Sequence, residues 1–154
     1  MDRKDQVDGL ITGFGKLIGI PELALDEENG CTLGFDDQVI SFRFHDEKDV
    51  LVLFSELGKV PKDNAEPLYR ELLEANFNRD ELDGSALSCC RASDSIVLIG
   101  QKSLQGLDVR ALDRMVENFT NIAVSWAARI NRPWQGEEKS SNTDEGIQNN
   151  WISI

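Results

Sequence analysis

Apolar residues near the start of the chain recur at the three- and four-residue spacing of one helix face. The stripe runs from Val7 to Ile18 and is interrupted by three glycines, each of which weakens a helix by roughly 1 kcal/mol relative to Ala. Gly19 and Pro21 then form a typical helix stop, because Gly suits the left-handed C-cap. We therefore predict a first helix that ends near Ile18 and depends on packing for its stability.

The following stretch alternates between apolar and polar positions, which predicts β-strands. Leu23 and Leu25 alternate with polar or small residues, and Asn29-Gly30 favours the type I′ turn of a hairpin. Alternation continues through residues 31–35 and 40–44. The run from Val50 to Leu57 is apolar on both faces, which indicates a central strand.

The second half of the chain predicts a helix, two strands and a last helix. Residues 63–66 resemble a capping box, and a helical stripe follows from Leu68 to Phe77. Residues 86–90 and 96–102 alternate like strands. Asp108 is placed to cap a final helix that reaches Ile130 and has the cleanest helical period in the chain.

Composition changes after this helix. Residues 131–154 are rich in Gly, Ser, Asn and acids and show no period, so we predict one folded domain over 1–130 and a disordered acidic tail over 131–154. An alternative is that the tail, through Trp134 and Trp151, shields a groove when no partner is bound.

Charge and hydropathy narrow the possible partners and the location. The formal net charge is −12, and a field of that sign repels nucleic acid and anionic lipid surfaces. The longest apolar run, Val50 to Phe54, is far below the roughly 20 residues that cross a bilayer, and the start lacks the apolar core of a signal peptide. We expect a cytoplasmic protein that neither binds nucleic acid nor inserts into membranes.

Cys31, Cys89 and Cys90 do not suggest a disulfide framework.

Candidate chemical motifs are weak. The glycines from Gly13 to Gly19 do not have the spacing or the preceding strand of a nucleotide loop, and Asp26 to Gly30 lacks calcium-loop spacing. His45, the single histidine, has no nucleophile elbow to accompany it. We predict no catalytic residues, no metal site and no cofactor.

The order helix, three strands, helix, two strands, helix in an acidic chain resembles the class I type III secretion chaperones, the Tir-chaperone or CesT-like family. The matching stretches are 17–27 with 30–33 and 35–36, then 57–61 leading into 69–77, then 84–88, and finally 123–126. The resemblance implies an α+β fold, α-β-β-β-α-β-β-α, with an antiparallel sheet packed by helices and a homodimeric assembly. It also implies a chaperone that binds the N-terminal region of one or more secreted effectors and keeps these effectors export-competent. The secretion ATPase is a further partner that the resemblance implies.

The resemblance further assigns residues to two surfaces. Client binding falls on the first helix and the first strands, at Phe14, Leu17, Ile18, Leu23, Leu25, Leu33, Phe35, Phe42 and Phe44. The dimer contact falls on the second helix and a nearby strand, at Leu68, Leu72, Leu73, Asn76, Phe77 and Leu98. The pattern alone does not separate a buried face from a partner-binding face.

Two other functions stay open from the sequence. A protein of the same fold could bind a regulatory partner that controls secretion gene expression. A small enzyme with an unrecognised site would require polar residues that only folding brings together.

Overall fold

The computed structural model describes residues 2–35 and 37–131, which form three helices and five strands in the predicted order. The helices are α1 (Arg3–Ile18), α2 (Glu66–Phe77) and α3 (Val109–Ile130), and the strands are β1 (Gly30–Phe35), β2 (Gln38–His45), β3 (Val50–Lys59), β4 (Ala86–Cys90) and β5 (Ser95–Ser103). The predicted tail, apart from Asn131, lies outside the described residues.

All five strands join one antiparallel sheet in the order β1-β2-β3-β5-β4. The central position of β3 confirms the prediction drawn from its apolar run. Leu51 and Leu53 point into the core, whereas Val52 points to the opposite face and is still largely buried.

The predicted strand over Leu23 and Leu25 is wrong, because residues 19–29 form a loop and β1 pairs with β2 instead. Asn29 does adopt a positive φ of 62°, but it ends a compact turn rather than joining two strands. The Asp26 Oδ1 accepts hydrogen bonds from the backbone N–H groups of Glu28 (2.8 Å) and Gly30 (3.0 Å). This local side-chain bonding competes with strand pairing.

The glycines that weaken α1 allow close packing. The Ile20 N–H donates to the Gly15 carbonyl at 2.7 Å, and a Cβ on Gly15 would lie 2.4 Å from the Ile20 oxygen. A Cβ on Gly13 would lie 2.8 Å from a methyl of Val109 in α3. Gly13 is therefore required by the contact with α3, and Gly15 by the contact with the loop that follows α1.

The two later helices begin differently from each other. The Asp108 carboxylate accepts a 2.8 Å hydrogen bond from the Ala111 N–H, which confirms the predicted cap of α3. The capping box predicted for α2 is wrong, because the N-cap is Ala65 and no side chain bonds there. Asn64 has a positive φ of 58°, which turns the preceding residues away from the helix start.

One hydrophobic core joins the helices to a single face of the sheet. Phe14 of α1 contacts Phe42 of β2, with 6.1 Å between ring centroids. In α3, Phe119 packs at Gly100 of β5, where a Cβ would lie 3.5 Å from its ring. None of the helices in the described residues is long and apolar enough to cross a bilayer.

Candidate functional site

The outer edge of the sheet at β1 has backbone groups that pair with no other residue of the described part of the chain. Phe44 donates its N–H to the Asn29 carbonyl at 2.9 Å, and the alternation of an antiparallel ladder then directs the polar groups of Thr32 and Gly34 outward. Gly30 also faces outward, but Asp26 occupies both of its backbone groups. Both Thr32 and Gly34 are exposed, so the open part of the edge begins after Gly30.

The opposite edge of the sheet, at β4, is blocked at Leu87, the second residue of the strand. The Asn76 side chain of α2 donates to the Leu87 carbonyl and accepts from the Leu87 N–H, both at 2.8 Å. An amide that satisfies both backbone groups occupies the position of a neighbouring strand. Strand addition is therefore favoured at β1.

Partly exposed apolar side chains lie in β1 and in the segment that precedes it in the chain. Leu17, in the last turn of α1, is 55% exposed, and the side chains of the adjoining loop are only partly buried against the core. Close contact between Gly15 and Leu23 holds this loop against α1. We call this the edge surface, defined as the open part of β1 together with the partly exposed residues Leu17, Ile18, Ile20, Leu23, Leu25 and Phe35.

The predicted client-binding residues divide into two groups in the structure. Those in the edge surface are exposed or partly buried, namely Leu17, Ile18, Leu23, Leu25 and Phe35. Four others are core side chains in the single chain, namely Phe14, Leu33, Phe42 and Phe44. Direct client contact at these four stays a prediction that their burial does not favour.

The outward face of α2 forms a second apolar surface. Tyr69, Leu73 and Phe77 follow one another at helical spacing, and Leu73 is 70% exposed. With the intervening polar side chains they line a shallow groove of about 420 Å³. We call this the α2 outer face, defined by Glu66, Tyr69, Arg70, Leu73, Glu74 and Phe77.

The predicted dimer residues also divide. Leu73 and Phe77 lie on the α2 outer face, whereas Leu68, Leu72 and Leu98 are buried in the core. Asn76 is partly buried, with its amide bonded to β4. The dimer assignment as a whole stays a prediction, and Leu73 and Phe77 are its exposed members.

Exposed apolar residues on the second face of the sheet are not among the predicted site residues. Val39 is 53% exposed and Ile99, which lies opposite Phe54, is 41% exposed. Strand alternation contains this signal, because Val39 adjoins the buried Ile40 and Ile99 adjoins the buried Leu98. Tyr69, on the α2 outer face, is also not among the predicted site residues.

Within residues 2–35 and 37–131, no group of three or more His, Cys, Asp or Glu side chains could hold a metal ion. Burial raises the pKa of the Cys31 thiol to about 11. The Ser93 hydroxyl and backbone N–H lower the pKa of the exposed Cys90. His45 is exposed at the end of β2.

Comparison with known proteins gives a family match over most of the chain. The model of the Tir chaperone protein (CesT) family matches residues 9–127. The transcriptional anti-antiactivator ExsC of Pseudomonas aeruginosa is 35% identical over 80 residues, which cover 51% of this chain and 53% of that protein. The match thus spans about half the length of this relative.

Several solved structures share the fold. The ExsC–ExsE complex has a TM-score of 0.72 at 22% identity, covering 82% of this chain and 95% of that chain. The HopA1–SchA chaperone–effector complex has a TM-score of 0.66 at 16% identity, covering 79% and 93%. The Yersinia pestis secretion chaperone SycH, in complex with a fragment of YscM2, has a TM-score of 0.61 at 18% identity, covering 77% and 97%.

Proposed function

The chain belongs to the Tir chaperone protein (CesT) family, and from this we propose that it is a homodimeric type III secretion chaperone that acts in the cytoplasm. Its client is the N-terminal region of one or more secreted effectors, held extended and export-competent until delivery to the secretion ATPase. The protein acts by binding and needs no cofactor.

The open β1 edge is the observation that carries this proposal. A client segment that pairs with Thr32 and Gly34 gains backbone hydrogen bonds, and its alternate side chains can contact the edge surface. Backbone pairing is independent of sequence, so selectivity for a client comes from the apolar side chains beside the edge. The block at Leu87 by Asn76 directs the client to β1.

The α2 outer face supports a homodimer. Leu73 and Phe77 are large apolar side chains exposed on one helix face, and burying them is favourable by about 25 cal/mol for each Å² removed from water. Leu73→Asp is expected to shift the protein to a monomer in size-exclusion chromatography with light scattering. A control, Val124→Asp on α3, changes a residue that is also partly exposed and should leave the dimer intact.

Removing one edge donor tests the chaperone proposal. Thr32→Pro deletes an outward N–H that β2 does not use, whereas Thr32→Val changes the side chain and keeps the donor. The full chain and both variants would be tagged in the native host and purified gently. The wild type and Thr32→Val should retain a secreted protein through its N-terminal region, and Thr32→Pro should lose it.

Equal retention of that client by a folded Thr32→Pro variant would contradict binding at the β1 edge. Failure of all three proteins to retain any secreted protein would contradict the chaperone function itself. Circular dichroism and light scattering would establish that Thr32→Pro keeps its fold and its oligomeric state.

A regulatory function is the second candidate, favoured by the 35% identity to a transcriptional anti-antiactivator over 80 residues. In this case the bound protein would control transcription of secretion genes instead of being secreted. Mass spectrometry of the same purifications separates the two functions. A non-secreted regulator that is lost with Thr32→Pro would favour the regulatory function.

A further inference from the structure

Exposed acidic residues lie in the segments that precede and follow β1. Between Gly19 and Asp49 the sequence has nine acids and two basic residues. In the structure, Glu22, Glu27 and Glu28 are exposed in the loop that precedes β1, and Asp37 is exposed just beyond its other end. These four carboxylates take part in none of the ion pairs found within the described residues. They therefore remain available to a cationic partner.

The basic residues nearby are fewer and are placed differently. Arg43 lies opposite Gly30 in the sheet, where its charge contributes to lowering the pKa of Asp26 after the larger effect of the Gly30 and Glu28 N–H groups. Lys16 is exposed on α1 next to Leu17. Lys48, the other basic residue of this segment, lies between β2 and β3. Exposed acids thus lie next to both ends of the open edge, with Arg43 also at the Gly30 end.

The edge sets the length of the segment that fits. From Cys31 to Phe35 the strand has five residues, or about 17 Å at a rise of roughly 3.3 Å per residue. A client strand paired over this length reaches the acidic loop at one end and Asp37 at the other. Acidic flanks on the client would meet like charges at both ends.

Resting on the proposed function, we propose that the client segment held at the β1 edge is an extended apolar stretch of about five residues with lysine or arginine on both sides. The apolar residues contact the edge surface and the basic residues meet the acidic borders. Complementary charge of this kind mainly sets selectivity and the association rate. It also makes binding dependent on salt, because the carboxylates are exposed.

Synthetic peptides with one core and different flanks test this inference on the full chain. Each peptide has a Val-Ser-Ile-Ser-Val core, flanked on both sides by two lysines, two serines or two glutamates, and carries a fluorophore for anisotropy titration. Titrations would be made at about 0.1 M and about 1 M salt, where the Debye length falls from about 10 Å to about 3 Å.

The lysine-flanked peptide should bind at least about tenfold more tightly than the glutamate-flanked one at low salt, and the difference should shrink at high salt. The double variant Glu27→Gln/Glu28→Gln should weaken binding of the lysine-flanked peptide about threefold to tenfold. A matched control, Asp80→Asn/Glu81→Gln, removes two exposed acids from the α2–β4 connection and should leave the affinity unchanged.

Equal affinities for the three peptides would overturn the charge inference and leave the chaperone function standing. A preference for the glutamate-flanked peptide would also overturn it, and would indicate an acidic occupant such as residues 132–154 of this chain. Absence of binding by every peptide would contradict strand addition at β1, and the inference would fail with it.

Discussion

Replacing Asn76 with Ala tests whether one side chain closes the β4 edge of the sheet. The change removes the two 2.8 Å hydrogen bonds to Leu87 without altering the apolar core. It also leaves the outward N–H and C=O of Leu87 without their protein partners. Water can replace part of the lost bonding, because the site is only partly buried.

The expected loss of stability follows from two opposing contributions. Two neutral hydrogen bonds contribute about 2 kcal/mol to the free energy of unfolding, at about 1 kcal/mol each. Ala is a better helix former than Asn, so the replacement stabilises α2 by at most about 0.5 kcal/mol. The net loss is therefore about 1.5 kcal/mol, which lowers the urea midpoint by about 0.8 M if the m-value is about 2 kcal/mol/M.

Urea unfolding followed by circular dichroism measures this change, at one protein concentration for all variants because a dimer's stability depends on concentration. Asn121→Ala on α3 is the control, since Asn121 is exposed and its replacement should change only helix propensity. Unfolding of the two variants at the same urea concentration would show that the Asn76 amide does not stabilise the β4 edge. A second consequence is greater self-association of Asn76→Ala, because the β4 edge is open.

Three further predictions concern the loop and the thiols. Gly15→Ala should displace the loop over residues 19–29 from α1 and increase cleavage of this loop by protease, because the new Cβ would lie 2.4 Å from the Ile20 oxygen. Gly9 has open space around it, so Gly9→Ala should instead stabilise the protein by up to about 1 kcal/mol. Iodoacetamide at neutral pH should alkylate Cys90 well before Cys31. Ser93 lowers the pKa of Cys90, whereas burial raises the pKa of Cys31 to about 11. Alkylation in the reverse order, detected by mass spectrometry of the digest, would contradict this prediction. The Gly30 and Glu28 N–H groups lower the pKa of Asp26 below 3.8, its ordinary value. The ionised carboxylate therefore stabilises the protein above pH 3.8, and this contribution is lost as the pH falls through the lowered pKa of the folded state. Asp26→Asn should flatten this part of the acid-unfolding curve, and an unchanged curve would refute the assignment.

Much of the fold could be predicted because its elements carry local signals. The final helix has an uninterrupted apolar period and a working cap at Asp108, and β3 is apolar on both faces. Local signals also produced the errors. Leu23 and Leu25 alternate like strand residues, but the Asp26 side chain satisfies the neighbouring backbone and leaves a loop.

The binding surfaces could be predicted less well, for a physical reason. Periodicity shows that apolar residues share a face, and it does not show whether the same chain covers that face. Phe14 and Leu17 belong to one stripe in α1, yet Phe14 is 1% exposed and Leu17 is 55% exposed. Only the position of α1 over the sheet, set by close contacts at Gly13 and Gly15, separates them.

The same separation determines which substitutions can test function. An Asp at Phe14 would place a charge in the core beside Phe42 and unfold the protein, because a buried unpaired charge is strongly destabilising. Leu17→Asp changes an exposed residue of the edge surface and should preserve the fold. Client binding that is lost with Leu17→Asp but retained with Val124→Asp would therefore place the client on the edge surface. Equal binding by both variants would exclude Leu17 from the contact.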